Sequence, residues 1–421
     1  MMKKIILLTL LPTTLLFTGT FVMKKGEVLK KTELTSLSTP KTNTQNDNTQ
    51  ITSSDTVRTK LTKINKIDTR LNNVNEVFIL ENKLLENIIG DEAVTINGTK
   101  GANQTVIIKN SRFTNVTQAL RIVGVDNVII EGNYFEKTWS VIKCYYAKSV
   151  IIRHNKSKNH GTLNYLSNAN WSGNFAQIAD QNAMDKLIIE HNLIDRSDDN
   201  RESKHPNTFA EDYINIYQVK MSSGKESSIG YNYIIGSELN NESITAGGIT
   251  IDQEGEHHRI HNNVIYNAGS FCIGIASSRN INIENNVGLQ TAAHDKALLS
   301  HAKHYASGST KTGPDRVSAI TLTNYRAKGK VPYPSKNITL TANKLIAVRY
   351  QRDPGFSNHW LDIDIAEIKL KENSFQANSK NGDNIINTMN ITDLEMKDLI
   401  FGKNRAGLFQ THGIGLEYFK E

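Results

Sequence analysis

The sequence predicts an all-β protein whose body is a right-handed parallel β-helix, a solenoid of about nine or more coils. Three observations lead to this prediction. One eight-residue phrase returns nine times, a second short apolar strand precedes most copies, and the shortest spacings between copies are 22, 22 and 23 residues. The longer spacings contain insertions, which predicts lengthened turns that build a binding wall around the middle coils.

The repeated phrase is typical of a strand that ends in a turn. It reads VIIKNSRF at 106–113, VIIEGNYF at 128–135 and, in its last copy, IKLKENSF at 368–375. The third position is always Ile or Leu, and the sixth is Asn in every copy but the first, which has Ser111. These asparagines are Asn133, Asn155, Asn192, Asn232, Asn263, Asn286, Asn343 and Asn373. Because Asn tolerates a left-handed backbone, we expect it to form the turn and its amide to hydrogen-bond along the stack.

The second strand has apolar residues at alternate positions, as in YINIYQV at 213–219 and GGITIDQ at 247–253. We therefore expect two strands in each coil. Cys144 and Cys272, the two cysteines, then lie four strand spacings apart, about 19 Å, which is beyond disulfide reach. Both are expected to be buried thiols.

The N-terminus is typical of an exported protein. Lys3 and Lys4 precede an apolar run from Ile5 to Met23, so residues 1–25 are predicted to be a signal peptide or an uncleaved membrane anchor. Residues 26–75 are predicted to be a polar, largely disordered linker, and 76–421 the β-helix with its caps. We expect a strand and a helical turn at 76–89. The body is expected outside the cytoplasm: periplasmic, secreted or on the cell surface.

The composition favours an anionic partner. The formal net charge is +7 and the sequence contains no basic helix, zinc finger or aromatic RNA-binding motif, which argues against nucleic acid. We expect a monomer that binds an acidic polysaccharide and touches a membrane only through an uncleaved anchor.

Part of the chain resembles known proteins. Glu211 to Tyr217 (EDYINIY), the FAQIAD segment before it and Gly247-Gly248-Ile249 after it are similar to a group of bacterial secreted β-helix proteins of the pectate-lyase-like superfamily, over roughly 105–290. A weaker similarity, in Gly247–Ile249 and in 256–263 (EHHRIHNN), is to the alginate lyase and chondroitinase B group. That resemblance implies a lysine on the preceding coil, where Lys220 stands. The group's adjacent calcium-binding carboxylates are not matched, so calcium is possible but the sequence requires no cofactor.

Alternation along the second strands predicts a polar outer face. Ile214 and Ile216 point inward, so their neighbours point outward. Gln177, Asn215, Tyr217 and Asp252 are then expected on one outer face, with Asp212, Lys220 and Glu254 at its edges.

This face is a candidate site for cleaving an acidic sugar chain by β-elimination. The reaction needs a cation or metal for the carboxylate, a base for the C5 proton and an acid for the leaving oxygen. The candidate catalytic residues are Asp212, Tyr217, Lys220 and Asp252, and the candidate substrate-binding residues are Gln177, Asn215, Glu254 and Arg259. Lys220 or Tyr217 would be the base, and Arg259 or Lys220 the cation.

Other functions remain open. Asp212 and Asp252 are the first pair to consider for a glycoside hydrolase, and a C5-epimerase or a non-catalytic polysaccharide-binding protein would share the fold. Asp212 and Asn215 also have a purely structural interpretation as caps of the turn. His257, His258 and His261 suggest a metal site, but successive residues of a strand face opposite sides. We therefore interpret His258 and Arg259 as turn residues. His294, His301 and His304 lack a carboxylate or cysteine partner, so metal ligands stay unknown.

Overall fold

The computed structural model of the protein describes residues 60–161, 173–179, 183–197, 212–236, 247–268, 271–291, 318–323, 335–348, 368–371 and 374–376. All of them belong to the second of two units, Met1–Arg58 and Thr59–Glu421. The predicted export segment, most of the predicted linker, the central parts of the insertions and the C-terminal tail lie outside the described residues. Within the described ranges, no helix is present that could cross a membrane.

The described part is all-β, and every strand pairing in it is parallel. The strands are β1 (Thr62–Lys63), β2 (Ile67–Arg70), β3 (Val77–Glu81), β4 (Lys83–Asn97), β5 (Thr105–Lys109), β6 (Arg112–Val123), β7 (Asn127–Glu131), β8 (Tyr134–Tyr145), β9 (Ser149–Arg153), β10 (Lys156–Lys158), β11 (Ala176–Ala179), β12 (Ala183–Met184), β13 (Lys186–Glu190), β14 (Leu193–Asp195), β15 (Ile214–Tyr217), β16 (Lys220–Met221), β17 (Ser227–Gly230), β18 (Tyr233–Ile235), β19 (Gly247–Asp252), β20 (Glu256–His261), β21 (Val264–Tyr266), β22 (Phe271–Ala276), β23 (Arg279–Glu284), β24 (Val287–Thr291), β25 (Ser318–Thr323), β26 (Lys336–Thr341), β27 (Lys344–Val348), β28 (Ile368–Lys371) and β29 (Ser374–Gln376).

The strands stack in three parallel ladders, which gives a solenoid-like architecture. The first ladder runs through β3, β5, β7, β9, β13, β17, β20, β23, β26 and β28. The second runs through β10, β14, β18, β21, β24, β27 and β29, and the third through β11, β15, β19, β22 and β25. The long strands β4, β6 and β8 belong to both the second and the third ladder. The prediction of two strands per repeat was therefore wrong: the phrase bends near its fifth position, and its last residues begin a further strand.

The core fills the space between the ladders. Ile108, Ile130 and Ile152, at the third position of the phrase, are fully buried, and so are the second-strand isoleucines Ile214 and Ile249. This is the burial that alternation predicts for the inward positions. Cys144 and Cys272 are both buried and form no disulfide with each other, as predicted.

The asparagine ladder is confirmed from Ser111 to Asn343. From Asn133 to Asn286, each Asn Nδ2 donates to the Oδ1 of the next Asn, as from Asn133 to Asn155 at 3.0 Å and from Asn192 to Asn232 at 2.9 Å. Each Nδ2 also donates to a core-strand carbonyl one repeat back, as from Asn133 to Ile108 at 2.8 Å. Asn373 lies outside the described residues.

The left-handed residue of each turn is the fifth of the phrase, and the sixth, where we expected it, is not left-handed. Asn110, His154, His191, Tyr231 and Ala342 all have φ between 51° and 56°. The side-chain amide of the sixth-position Asn instead forms the hydrogen bonds of the asparagine ladder. Its amide, rather than its backbone tolerance, explains the residue type.

A further copy of the phrase precedes the nine. Phe78 and Leu80 of β3 are in register with Val106 and Ile108 of β5, and the Lys83 N–H donates to the Ser111 Oγ at 3.1 Å. The helical turn expected at 76–89 is absent, because this segment is β3 and the start of β4. The strands β1 and β2 lie before residue 76, where the sequence places the start of the body.

Candidate functional site

The outer face of the third ladder carries two rows of side chains in strand register. The polar row consists of Arg121, Lys143, Gln177, Asn215, Thr250 and Gly274. The tyrosine row consists of Tyr145, Ala179, Tyr217, Asp252 and Ala276. Neighbours within a row lie on adjacent strands, about 4.8 Å apart. The expected placement of Gln177, Asn215, Tyr217 and Asp252 on one face is confirmed by this register.

Asp212 holds Asn215 in one orientation. The Asn215 Nδ2 donates to the Asp212 Oδ2 at 2.6 Å, and the backbone N–H of Gly247 donates to the Asp212 Oδ1 at 3.0 Å. Both side chains are buried, with 8% of Asp212 and 6% of Asn215 exposed. Asp212 therefore has the capping role that was one of its two sequence interpretations, and it also orients a polar-row amide.

The tyrosine row carries two phenols on either side of an alanine. The Tyr145 hydroxyl donates to the Gln177 Oε1 at 3.3 Å, and the Tyr217 hydroxyl donates to the Gln253 Oε1 at 3.0 Å. Burial raises the pKa of Tyr145, partly offset by the positive charge of Arg121. The raised pKa keeps this phenol protonated, so its hydroxyl acts as a hydrogen-bond donor.

Lys220 and Glu254 lie together at the edge of the first ladder. The Lys220 Nζ is 3.6 Å from the Glu254 Oε2 and 3.8 Å from the Glu256 Oε1. Gln253 and Glu254 have φ of 49° and 68°, so they form a left-handed turn between the tyrosine row and this cluster. The turn brings Gln253 to Tyr217, which connects the Lys220 cluster with the face.

Arg259 lies away from this face, on the outside of the first ladder. Its Nε and Nη2 donate to the Glu284 Oε2 at 3.0 and 2.8 Å. Arg259 and His258 are strand residues of β20, so their interpretation as turn residues was wrong. The turn follows β20, with the left-handed Asn262 and the ladder residue Asn263.

His258 points into the core. It has no exposed surface, its Nε2 is 2.8 Å from the Val219 carbonyl oxygen, and its Nδ1 is 2.9 Å from the Ser227 Oγ. Burial lowers its pKa to about 4. His258 and Ser227 replace the apolar residues that stand at this position in other repeats, such as Val150 and Ile281.

His261 forms a separate outer cluster with Ser228 and Glu190. Its Nε2 is 2.7 Å from the Ser228 Oγ, which also donates to the Glu190 carboxylate. The Asn262 Nδ2 faces the His261 Nδ1 at 3.0 Å, so this nitrogen accepts and Nε2 carries the proton. The imidazole is thus a donor to Ser228, the opposite of a base that would activate a serine nucleophile.

The carboxylate pair proposed for hydrolysis is not assembled. The Asp212 carboxylate accepts a hydrogen bond from the N–H of Gly247, at the start of β19. Asp252 lies five residues further along that strand, so its backbone is about 16 Å from Gly247 at 3.3 Å per residue. A glycosidase needs its two carboxyl groups within about 10 Å. Asp212 and Asp252 therefore cannot act as such a pair.

The described residues contain no group of three or more His, Cys, Asp or Glu side chains arranged to hold a metal ion. The His257 Nε2 lies 3.4 Å from the Asn280 Nδ2. His294, His301 and His304 lie outside the described residues.

Sequence reasoning gave no role to two residues that the fold adds to the face. Lys143 lies beside Gln177 in the polar row and is only 8% exposed, and Tyr145 heads the tyrosine row. Both belong to VIKCYY at 141–146, which aligns with FAQIAD at 175–180 once their strand positions are matched. That alignment could have placed them in the site.

No protein-family model matches this chain, and no curated protein matches it. Among solved structures, the chain is similar to the alginate lyase AlyF-OU02, solved as a complex. The identity is 14%, the match covers 78% of this chain and 87% of that one, and the TM-score is 0.24. A TM-score this low supports no conclusion about fold or activity.

Proposed function

We propose that this chain is a right-handed parallel β-helix that acts outside the cytoplasm on an acidic polysaccharide, by β-elimination at the outer face of the third ladder. The observation that supports this function is the strand register, which lines up an amine, two amides, two phenols and a carboxylate on one rigid sheet. Rigid elements keep reacting groups in place more accurately than loops do.

The residues of the face divide into the three roles that β-elimination requires. The Lys220 ammonium is the candidate cation for the carboxylate of the reacting sugar. Lys143 lies three strand spacings from Asp252, about 14 Å, so it is the candidate cation for the carboxylate of a neighbouring sugar. Asp252 takes the C5 proton, the electron pair forms the C4–C5 double bond as the C4–oxygen bond breaks, and Tyr217 protonates the leaving oxygen. Tyr217 and Asp252 suit these linked roles because they are direct neighbours across β15 and β19. Asp212, a catalytic candidate from the sequence, is assigned to positioning Asn215.

One observation favours polysaccharide binding without cleavage as the second candidate. Tyr145 and Tyr217 are two strand spacings apart, about 10 Å, with only Ala179 between them. This leaves a slot bounded by two aromatic side chains, and aromatic rings provide large apolar contact area beside a polar group. A sugar ring fits the chemistry of this slot whether or not the chain is cut.

The test is ultraviolet absorbance of the unsaturated uronate product, measured on the purified chain with alginate, pectate, hyaluronan and chondroitin. Each assay is run with calcium and with a chelator. We expect a rise with one substrate that Tyr217→Phe reduces by about 100-fold, a typical contribution of a proton-transfer group. Tyr146→Phe is the matched control, because Tyr146 is a phenol that directly follows β8, is 43% exposed and lies outside both rows.

Other results would overturn the lyase proposal. New reducing ends without absorbance would indicate a hydrolase, and a changed C5 configuration would indicate an epimerase. Retention on an immobilised glycan with no chemical change would establish the binding protein. Export is tested separately, by cell fractionation: recovery of the chain in the cytoplasm would contradict it.

A further inference from the structure

The hydrogen bonds of the polar row fix which atoms its amides present. A carboxylate only accepts hydrogen bonds, so the Asn215 atom that faces Asp212 must be the NH2 group. The other amide atom, Oδ1, is therefore the one left for a further contact. It is buried and has no hydrogen-bond partner among the described residues.

Thr250, the next residue of the row, adds a second such atom. It is in register with Asn215, is 7% exposed, and its Oγ1 is also buried without a hydrogen-bond partner in the described part of the chain. Leaving a buried polar atom unsatisfied costs about 1–3 kcal/mol, so two adjacent atoms in this state favour a ligand that supplies the missing contacts. The pair offers an acceptor and a hydroxyl that can both accept and donate.

The other half of the row presents donors. The Gln177 Oε1 accepts from the Tyr145 hydroxyl, so the Gln177 NH2 group is the end left for a further contact. Lys143, on the strand before it, carries an ammonium group with three donor hydrogens. The row thus changes from donors at Lys143 and Gln177 to acceptors at Asn215 and Thr250 within four adjacent strands.

We infer that this row seats an acidic sugar chain parallel to the stack, with the carboxylate of one sugar at Lys143 and Gln177 and a free hydroxyl of a neighbouring sugar at Asn215 and Thr250. A carboxylate needs donors only, whereas a hydroxyl needs an acceptor for its proton, so the two halves cannot exchange ligand groups. The inference rests on the proposed function, because it names the orientation and the chemical class of that substrate.

The orientation has a consequence for substrate choice. An O-acetyl group on the recognised hydroxyl removes the proton that Asn215 accepts and adds bulk at a buried position. A site built to bond a hydroxyl rejects an analogue that lacks it far more strongly than an apolar pocket rejects a small change in size. The row therefore selects acidic polysaccharides that are not acetylated at this position.

The experiment measures the affinity of the full chain for alginate and pectate, each before and after chemical O-acetylation, by calorimetric titration. We expect acetylation to weaken binding of the preferred polymer by at least about tenfold, the loss of roughly one hydrogen bond to a buried group. We expect Thr250→Val, which keeps the side-chain shape, to weaken binding of the unmodified polymer by about the same factor. Thr321→Val is the matched control, since Thr321 lies in the same row beyond Gly274 with the same 7% exposure.

Each outcome decides between two claims. If the wild-type chain binds a polymer, but acetylation and Thr250→Val leave its affinity unchanged, the donor-to-acceptor seating is wrong and the proposed function stands. If Thr321→Val weakens binding as much as Thr250→Val, the effect belongs to the fold and the seating is wrong again. If the wild-type chain binds no acidic polymer of the full panel, the proposed function itself fails.

Discussion

The imidazole of His258 and the hydroxyl of Ser227 are hydrogen-bonded to each other, 2.9 Å apart, inside a core that is otherwise apolar at this position. The pair occupies the inward position that Val106, Val128 and Val150 fill in earlier repeats. The buried imidazole makes the stability of the stack depend on pH.

We expect the protein to lose stability as the pH falls from about 6.5 to 4. The pKa of His258 is about 4 in the folded chain and that of a free histidine is about 6.5, so in this window the unfolded chain binds a proton and the folded chain does not. The penalty is on the order of 3 kcal/mol when fully developed. Thermal melting at several pH values measures it. The double variant Ser227→Val/His258→Val should melt with a flatter pH dependence, and an unchanged slope would contradict this assignment.

Removing one rung from the middle of the asparagine ladder should be strongly destabilising. Asn192→Leu keeps the branching of the side chain but leaves the backbone N–H and the Nδ2 of Asn155, which both bond to the Asn192 Oδ1, without that acceptor. We expect a loss on the order of 3–5 kcal/mol in urea unfolding, because several buried groups lose partners at once. Asn127→Leu is the control, since Asn127 lies in a surface amide row and should cost less than about 1 kcal/mol. Equal losses in the two variants would show that the ladder has no special role.

The left-handed fifth position can be tested by opposite substitutions at equivalent sites. Ala342 has φ of 53° and Gly132 has φ of 67° at the same place in two repeats. Ala342→Gly should raise stability by about 1 kcal/mol, because it relieves the clash of a Cβ in a left-handed backbone. Gly132→Ala should lower it by a similar amount, with an added contact to the Asn110 Oδ1 at 2.7 Å. Shifts of the same sign in the two midpoints of urea unfolding would refute the explanation.

Gly230 makes room for the imidazole of His261. A Cβ at position 230 would overlap the His261 ring, which is only 3% exposed. Gly230→Ala should therefore cost about 1–3 kcal/mol, as overpacking usually does. In a double-mutant cycle, His261→Ala should cancel most of that cost. If the two losses simply add, the glycine is needed for another reason.

Much of the fold could be predicted from the sequence because the repeat has a simple physical cause. Alternation fixed which residues point inward, and it aligned Gln177, Asn215 and Tyr217 on one face before any register was known. The asparagine ladder could be predicted because Asn recurs at the sixth position of the phrase. The short second-ladder strands were missed because β10 and β14 have only three residues each, too few to show a period.

The candidate site was less predictable because its details depend on pairs of side chains rather than on periodicity. Asp212 is held in place to orient Asn215 by the backbone N–H of Gly247, in the next repeat. No local sequence pattern indicates this contact. His258 was misplaced because a polar residue at an inward position resembles a turn residue in the sequence. Its burial became evident only when β20 was paired with β17 and β23.

The spacing of the ladder rungs also shows how such a chain can acquire new loops. Consecutive rungs are separated by 22, 22, 37, 40, 31, 23 and 57 residues, and six of these seven steps have an amide-to-amide bond of 2.9–3.0 Å. The first step, from Ser111 to Asn133, is made by a backbone N–H at 3.0 Å instead. The rung geometry is thus independent of the contour length between rungs, and the entropy of closing a longer loop grows only slowly with its length. Evolution can lengthen or shorten the segments beside the polar and tyrosine rows, and so change what the face recognises, without altering the frame that holds it.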